Sequence, residues 1–219
     1  MSDLLREGVH VVAIHTDLVI LDAPHDDYFC IVDALTDHGP DPVLKEGAAA
    51  ALVDAGLLRA TAGATIPLDR LLPAPMRDWH DLPPAGPVRI TAIDVARFVA
   101  ALIWSRTHFG RHRLPGLMKL LAGQGDRVTA PCLNELSAAV RKFQTMMMWL
   151  PVRPLCLFHS FLLLRFLRLS HLSADWIIGV QLYPFQAHCW LACGDIVVGD
   201  DAHRLGAYRP ILVHSGFAR

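Results

Sequence analysis

The sequence predicts an α+β protein, in which short strands come first, helices fill the middle of the chain and antiparallel strands come last. Runs rich in valine and isoleucine, bounded by turn residues, lie near both ends of the chain. The middle carries apolar residues at helical spacing between capping residues. The length of 219 residues allows two unequal domains, because one domain usually takes about 100 to 200 residues.

The N-terminal part opens with three strand-like segments, at residues 9–15, 17–22 and 28–32. Turn residues separate them, so the pattern predicts an antiparallel meander. A helix is then expected from Pro42, where proline can occupy the first turn, to Gly56, which stands where a C-cap glycine is common. Three strands packed against a helix indicate a small winged-helix-like domain, to which we assign residues 1–75.

A proline-rich stretch follows, with prolines at positions 67, 73, 75, 83, 84 and 87. Prolines disfavour regular structure, and residues 76–90 are expected to form a linker. Thr91 or Asp94 then begins a helix that Gly110 ends. Its apolar stripe is expected to consist of Ile93, Phe98, Leu102 and Trp104. Two more helices are predicted, at residues 114–123 and 133–150.

The second domain is assigned to residues 91–219. An apolar helix headed by Cys156 is followed by three strand-like segments, at residues 174–182, 187–193 and 195–201. The helix is not a membrane span, because its longest uncharged piece, residues 154–164, is far shorter than the roughly 20 apolar residues that a span requires. It is therefore expected to be a buried core helix.

Composition and charge limit the cellular compartment, the partners and the cofactors that we expect for this protein. Asp3, Arg6 and Glu7 interrupt any signal-peptide core, so a cytoplasmic protein is expected. The five cysteines are odd in number and lack a disulfide spacing, which fits a reducing compartment. A formal net charge of −1 argues against an electrostatic nucleic-acid binder. No phosphate-binding glycine loop is present in the sequence, and no cofactor is expected.

Cys156, His188 and Asp200 form the candidate catalytic set. A thiol needs a base to become a thiolate, and the base needs a carboxylate to fix its tautomer. Pro154 indicates that Cys156 lies in the first turn of its helix, where unpaired N–H groups and the helix dipole favour a negative charge and a lowered pKa. The set predicts a cysteine protease core of the papain and transglutaminase type.

The strand that carries His188 also allows a metal site to be considered. His188 shares a strand face with Trp190 and Ala192, whereas Cys189 and Cys193 point the other way, so the alternation is expected to separate the base from these thiols. The two cysteines lie roughly 13 Å apart along an extended strand, which is too far for two ligands of one zinc ion. No metal is predicted.

The third catalytic position has two candidates. A turn at residues 194–195 is expected to fold the last strand back toward His188 and to bring Asp200 or Asp201 close to it. We assign Asp200, and a bulge at Gly199 would exchange the two carboxylates.

Other polar residues near the set receive no firm catalytic role. His159 and His171 flank the same helix and are treated as structural. The oxyanion donor would include the backbone N–H of Cys156, with Gln144 and Gln186 as weak side-chain candidates.

The order Cys156, His188, Asp200 and the motif F-x-A-H-x-W at residues 185–190 closely resemble the B protein of lasso peptide biosynthesis. The resemblance covers nearly the whole chain. It implies a transglutaminase-like leader peptidase fused to a leader-recognition domain. Its implied partners are a lasso precursor peptide and an asparagine-synthetase-like, ATP-dependent cyclase. Cys189 departs from the family, in which alanine or another small residue is common at that position.

The segment at residues 28–32 is expected to be an open sheet edge to which the leader peptide adds as a strand. Tyr28 and Phe29 would offer aromatic contacts, and a proline at Ile31 would weaken the pairing. The alternative is that the helix from Pro42 or the protease domain covers this edge. Two other functions stay open: acyl transfer or deamidation from the same thioester, and a catalytically idle peptide-binding subunit.

Overall fold

The computed structural model describes residues 5–36, 43–59, 77–82, 87–122, 133–151 and 154–216. Within these residues the chain forms two β-sheets, and most of the helices pack around the second. The predicted order is confirmed in outline. A three-stranded antiparallel sheet comes first, helices follow, and mainly antiparallel strands come last.

The first sheet consists of β1 (Val9–Ile14), β2 (Asp17–Asp22) and β3 (Asp27–Ile31), in that spatial order. Both pairings are antiparallel, so the predicted meander is confirmed. Every residue of β2 is buried, because the strand is covered on both faces. Leu18 and Ile20 belong to a small core formed with the helix α1 (Glu46–Asp54), whereas Val19 and Leu21 belong to the main core.

The helix α1 begins later than predicted. Pro42 lies outside the described residues, and the chain just before the helix is extended, because Leu44 forms an antiparallel bridge with Leu35. The helix therefore starts only at Glu46. Its end is as predicted, since Gly56 has a φ of +66°, a left-handed conformation that commonly ends helices. The winged-helix assignment of this half stays a prediction.

The second sheet has five strands in the order β4-β7-β6-β5-β8. Their bounds are β4 (Arg77–Asp78), β5 (Asp175–Gln181), β6 (Gln186–Cys193), β7 (Ile196–Val198) and β8 (Arg209–His214). Strands β5, β6 and β7 correspond to the predicted segments. Strand β8, which pairs with β5, was not predicted from the sequence.

Residues 77–82 are folded, although an irregular linker was predicted over 76–90. Strand β4 runs parallel to β7, and a single 3-10 turn follows at Trp79–Asp81. Trp79 and Leu82 are buried in the main core. The linker prediction is wrong for these residues, because burying a tryptophan side chain stabilises a short segment that local propensity would leave irregular.

The helices of the second half are α2 (Ala92–Phe109), α3 (Leu114–Ala122), α4 (Leu133–Met147) and α5 (Cys156–Leu169). Helix α2 has Thr91 as its N-cap, one of the two starts that the sequence predicted, and Thr91 forms a capping box with Asp94. Asp94 and Phe98 lie on its buried face. Ile93 is 58% exposed, so its predicted place in the apolar stripe is wrong. It lies about 100° around the helix from Asp94.

Helix α5 is buried along most of its length, between α2 and the second sheet. The indole N–H of Trp176, on β5, donates to the Ser160 hydroxyl at 2.8 Å and anchors the first turns of the helix. Across the described ranges, no helix is both long and apolar enough to cross a bilayer.

Candidate active site

Cys156 is the first residue of α5, and its side chain is half-buried at the helix N-terminus. Leu155, the N-cap residue, makes no capping hydrogen bond with its side chain. The N–H groups of the first turn and the helix dipole therefore remain available to favour a negative charge at this end. The helix starts at the residue that the sequence predicted.

His188 lies on β6, and its Nε2 atom is 2.6 Å from Oδ2 of Asp200. The β6–β7 hairpin, with its turn at residues 194–195, brings the two residues together. Gly199 follows β7 with a φ of +77°, and a Cβ atom there would lie 2.7 Å from Leu163. Only glycine fits this turn without strain, and the turn directs Asp200 toward His188.

Asp201, the alternative carboxylate, makes different contacts. Its side chain accepts the His203 N–H at 2.9 Å and caps the short helix α6 (Ala202–Leu205). Its own N–H donates to Oδ1 of Asp200 at 2.8 Å. Asp200 therefore contacts His188, whereas Asp201 caps α6.

The pKa values of Cys156, His188 and Asp200 are all shifted from their ordinary values. The pKa of the Cys156 thiol is lowered to about 4, first by hydrogen bonding to the Cys189 thiol and then by His188, against burial, which raises it. The pKa of His188 is raised to about 9, chiefly by Asp200 and then by Cys156. Burial raises the pKa of Asp200, but the bonds from His188 and the Asp201 N–H outweigh it, and the pKa is lowered.

These shifted pKa values favour an ion pair between Cys156 and His188. The lowered pKa of Cys156 and the raised pKa of His188 favour a thiolate and an imidazolium at neutral pH, beside the carboxylate of Asp200. Because Nε2 of His188 is engaged with Asp200, Nδ1 is the ring nitrogen left to exchange a proton with Cys156. The arrangement is that of a nucleophile, a base and an orienting carboxylate.

A cavity of about 260 Å³ opens beside the histidine and the carboxylate. Its lining residues are Gln181, Gln186, His188, Asp200, Arg204, Leu205 and Tyr208. It gives a water molecule or an amine a route to His188. No group of three metal-ligating side chains is found within the parts of the chain that the structure describes.

A family model of the transglutaminase-like superfamily matches residues 96–213, more than half of the 219 residues. The chain belongs to the transglutaminase-like superfamily. The match extends from α2 to β8 and includes Cys156, His188 and Asp200. The superfamily includes cysteine proteases and acyltransferases. Neither the comparison with curated proteins nor the comparison with solved structures finds a match.

Cys189 of the transglutaminase-like domain lies in contact with Cys156. It is on the face of β6 opposite to Trp190, as the strand alternation predicted. Helix α5 packs on that same face, so the alternation brings the Cys189 thiol to the Cys156 thiol, a contact that the sequence analysis missed. Bonding to Cys156 and burial both raise the pKa of Cys189. The raised pKa keeps the Cys189 thiol protonated beside Cys156.

Tyr28 reaches the transglutaminase-like domain from β3 of the N-terminal sheet. Burial raises its pKa to about 12, and the nearby Cys156 thiolate adds to that rise. Its ring packs against Phe185, with 5.6 Å between the ring centroids. The other predicted peptide contacts lie elsewhere on the strand. Phe29 is 44% exposed, and Ile31 packs on the small core with α1.

The remaining polar candidates differ in their surroundings. Burial lowers the pKa of His159, which lies near Cys156, His188 and Asp200. His171 is exposed just beyond the other end of α5. Gln144 lies on α4, and Gln186 accepts a hydrogen bond from the Tyr208 hydroxyl at 2.9 Å.

Proposed function

We propose that the chain is a cysteine peptidase that removes the leader from a lasso precursor peptide before a partner cyclase closes the ring. The observation that supports the chemistry most directly is the meeting of Cys156, at the N-terminus of α5, with the His188–Asp200 pair. The motif at residues 185–190 and its resemblance to the lasso B protein support the choice of substrate.

The first chemical step forms a thioester. The Cys156 thiolate attacks the carbonyl carbon of the scissile peptide bond, and the backbone N–H of Cys156 stabilises the oxyanion. As the tetrahedral intermediate collapses, the C–N bond breaks and the His188 imidazolium gives its proton to the leaving amine. The core peptide leaves with a free N-terminus, while the leader stays on the sulfur.

The second step releases the leader. Neutral His188 takes a proton from water, which attacks the thioester carbon, and the C–S bond breaks. The thiolate and imidazolium are then restored. Asp200 keeps the ring oriented and stabilises its positive charge in both steps, without taking up a proton itself.

We place the leader on the outer edge of β3. Among the strands of the described residues, β3 pairs only with β2, and its other edge can accept a peptide strand. Phe29 is exposed on this strand, and Val32, just beyond it, is 67% exposed. Tyr28 turns inward near Cys156, so a peptide held along β3 would lie close to the nucleophile.

The test combines the full chain with a lasso precursor peptide, with and without a lasso cyclase and ATP. Mass spectrometry should show leader and core whose summed mass exceeds that of the precursor by one water. Cys156→Ala should bind the precursor without cutting it. A wild-type chain that binds the precursor but never cuts it, even with the cyclase present, would instead be a peptide-binding subunit.

Acyl transfer is the second candidate, because the superfamily includes acyltransferases and the cavity beside His188 can admit an amine. The thioester is the same, and an amine replaces water as its acceptor. A small primary amine added to the reaction distinguishes the two outcomes. Transfer attaches the amine to the leader, whereas hydrolysis leaves a free carboxylate; deamidation would change only a glutamine of the uncut peptide.

A further inference from the structure

The carboxylate of Asp78 joins the segment before α2 to the turn that carries Asp200. Its Oδ2 atom accepts the N–H of Ala202 at 3.1 Å, across 124 positions of the chain. Its Oδ1 atom accepts the N–H of His80 at 2.9 Å and lies 2.6 Å from Nδ1 of the same residue. The Asp78 side chain is only 13% exposed, so little water competes for these bonds.

The backbone at Asp78 is held from two sides. In the sheet, Asp78 pairs with Val197 of the parallel β4–β7 ladder. On the other side, the buried Trp79 ring lies in the main core, with the Arg141 guanidinium 5.5 Å from its centre. The backbone that carries the Asp78 carboxylate is therefore held in place, and the side chain reaches Ala202 from it.

Ala202 is the first residue of α6 and follows directly on Asp200 and Asp201. The side chains of those two aspartates bond to His188 and to N–H groups of the turn itself. The bond from Ala202 to Asp78 ties the turn to the neighbouring strand β4. It thus restrains the backbone that carries the catalytic carboxylate.

We propose that Asp78 is a positioning residue for Asp200: by holding the Ala202 N–H it fixes the turn from which Asp200 orients His188. This inference rests on the proposed catalytic role of Cys156, His188 and Asp200. Without Asp78 the turn gains freedom and Asp200 spends less time on the imidazolium. The Cys156 thiolate then loses part of the positive charge that stabilises it.

The variants separate the Ala202 bond from the rest of the Asp78 contacts. Asp78→Ala removes both acceptor oxygens. Asp78→Asn keeps the shape of the side chain but only one acceptor oxygen. His80→Ala is the matched control, because it removes the imidazole from Asp78 and leaves the Ala202 bond in place. Asp200→Asn is the reference for the loss of the catalytic carboxylate.

The measurement is the rate at which iodoacetamide alkylates Cys156 in the full chain as a function of pH, read by mass spectrometry of the peptide that contains it. In Asp78→Ala the midpoint of this profile should rise in the same direction as in Asp200→Asn, by about one pH unit. That shift is about a tenfold loss of thiolate at a pH below both midpoints. The midpoint of Asp78→Asn should lie between those of the wild type and Asp78→Ala, and the midpoint of His80→Ala should match the wild type.

Each other result counts against the role of Asp78. An unchanged profile in Asp78→Ala beside a raised one in Asp200→Asn overturns the proposal and leaves the catalytic set intact. Unchanged profiles in both overturn the catalytic set and this inference with it. An equal shift in His80→Ala shows that loosening the 3-10 turn alone raises the midpoint. The Ala202 bond is then not its cause. If circular dichroism shows that Asp78→Ala does not fold, Asp78→Asn decides: a midpoint above that of His80→Ala supports the proposal, and an equal one overturns it.

Discussion

The Nε2 atom of His188 lies 2.6 Å from Oδ2 of Asp200, and this contact joins strand β6 to the turn that follows β7. It raises the pKa of the histidine and leaves the other ring nitrogen for Cys156. The reactivity of the thiol therefore depends on a carboxylate presented by the turn after a neighbouring strand.

Replacing the two neighbouring aspartates separately tests which carboxylate matters. Asp200→Asn should lower kcat for leader cleavage by about 10²- to 10⁴-fold, because an amide leaves the imidazolium without its counter-charge. Asp201→Asn should keep activity within about threefold, since asparagine caps a helix as well as aspartate does. Steady-state kinetics of both variants decide the matter. A severe loss confined to Asp201→Asn would contradict the observed geometry.

The pH dependence of cleavage follows from the lowered pKa of Cys156 and the raised pKa of His188. The thiolate gains a proton as the pH falls through about 4, and the imidazolium loses its proton as the pH rises through about 9. Cleavage needs both charged forms, so the profile of kcat/KM should be bell-shaped between these limits. Alkylation of Cys156 needs only the thiolate and should fall on the acid side alone. A midpoint near the ~8.5 of a free cysteine would contradict the ion pair.

Removing the second thiol should make Cys156 less acidic. Cys189→Ala takes away the hydrogen bond that contributes most to the lowered pKa of Cys156. The alkylation midpoint should rise by about one unit or more, because a hydrogen bond to a charged group is worth roughly 1.5 to 3 kcal/mol. Cys193→Ala is the control, since Cys193 lies on the same strand and its pKa is raised by burial. Identical profiles for the two variants would show that Cys189 does not lower the pKa of Cys156.

Strand addition at β3 predicts a specific effect of proline. Cys30→Pro should weaken leader binding by about tenfold, because the N–H of Cys30 lies on the outer edge of β3, whereas that of Ile31 pairs with Leu18, and proline lacks this N–H. Cys30→Val keeps the N–H and should bind normally. Fluorescence polarisation with a labelled synthetic leader, on a Cys156→Ala background, gives the affinities. If the proline variant keeps its sheet by circular dichroism and binds as before, the leader lies elsewhere.

Separating the two halves should destabilise the first. Val19 and Leu21 are fully buried in the main core of the whole chain and would face water in a fragment of residues 1–75. Exposing two such side chains costs about 1.5 to 3 kcal/mol each. Hydrogen exchange in β2 should therefore be faster in the fragment than in the full chain. Equal protection would show that the N-terminal half folds independently.

Several features could be predicted from the sequence because the residues that cause them are close neighbours. The start of α2 at Thr91, the turn at residues 194–195 and the start of α5 at Cys156 all depend on residues within about one helical turn or one hairpin. The alternation of β6 also assigned its side chains to two faces. Short-range hydrogen bonds and backbone preferences are enough to specify such features.

The contacts that complete the site could be identified only in the folded chain, because they join residues that are distant in the sequence. Asp78 and Ala202 are 124 positions apart, and Tyr28 and Phe185 come from different halves of the protein. The alternation of β6 names two faces but not the one that α5 covers, so the contact of Cys189 with Cys156 stayed hidden. Burial of Trp79 likewise overrides the proline-rich composition around it, since the gain comes from core residues that lie far along the chain.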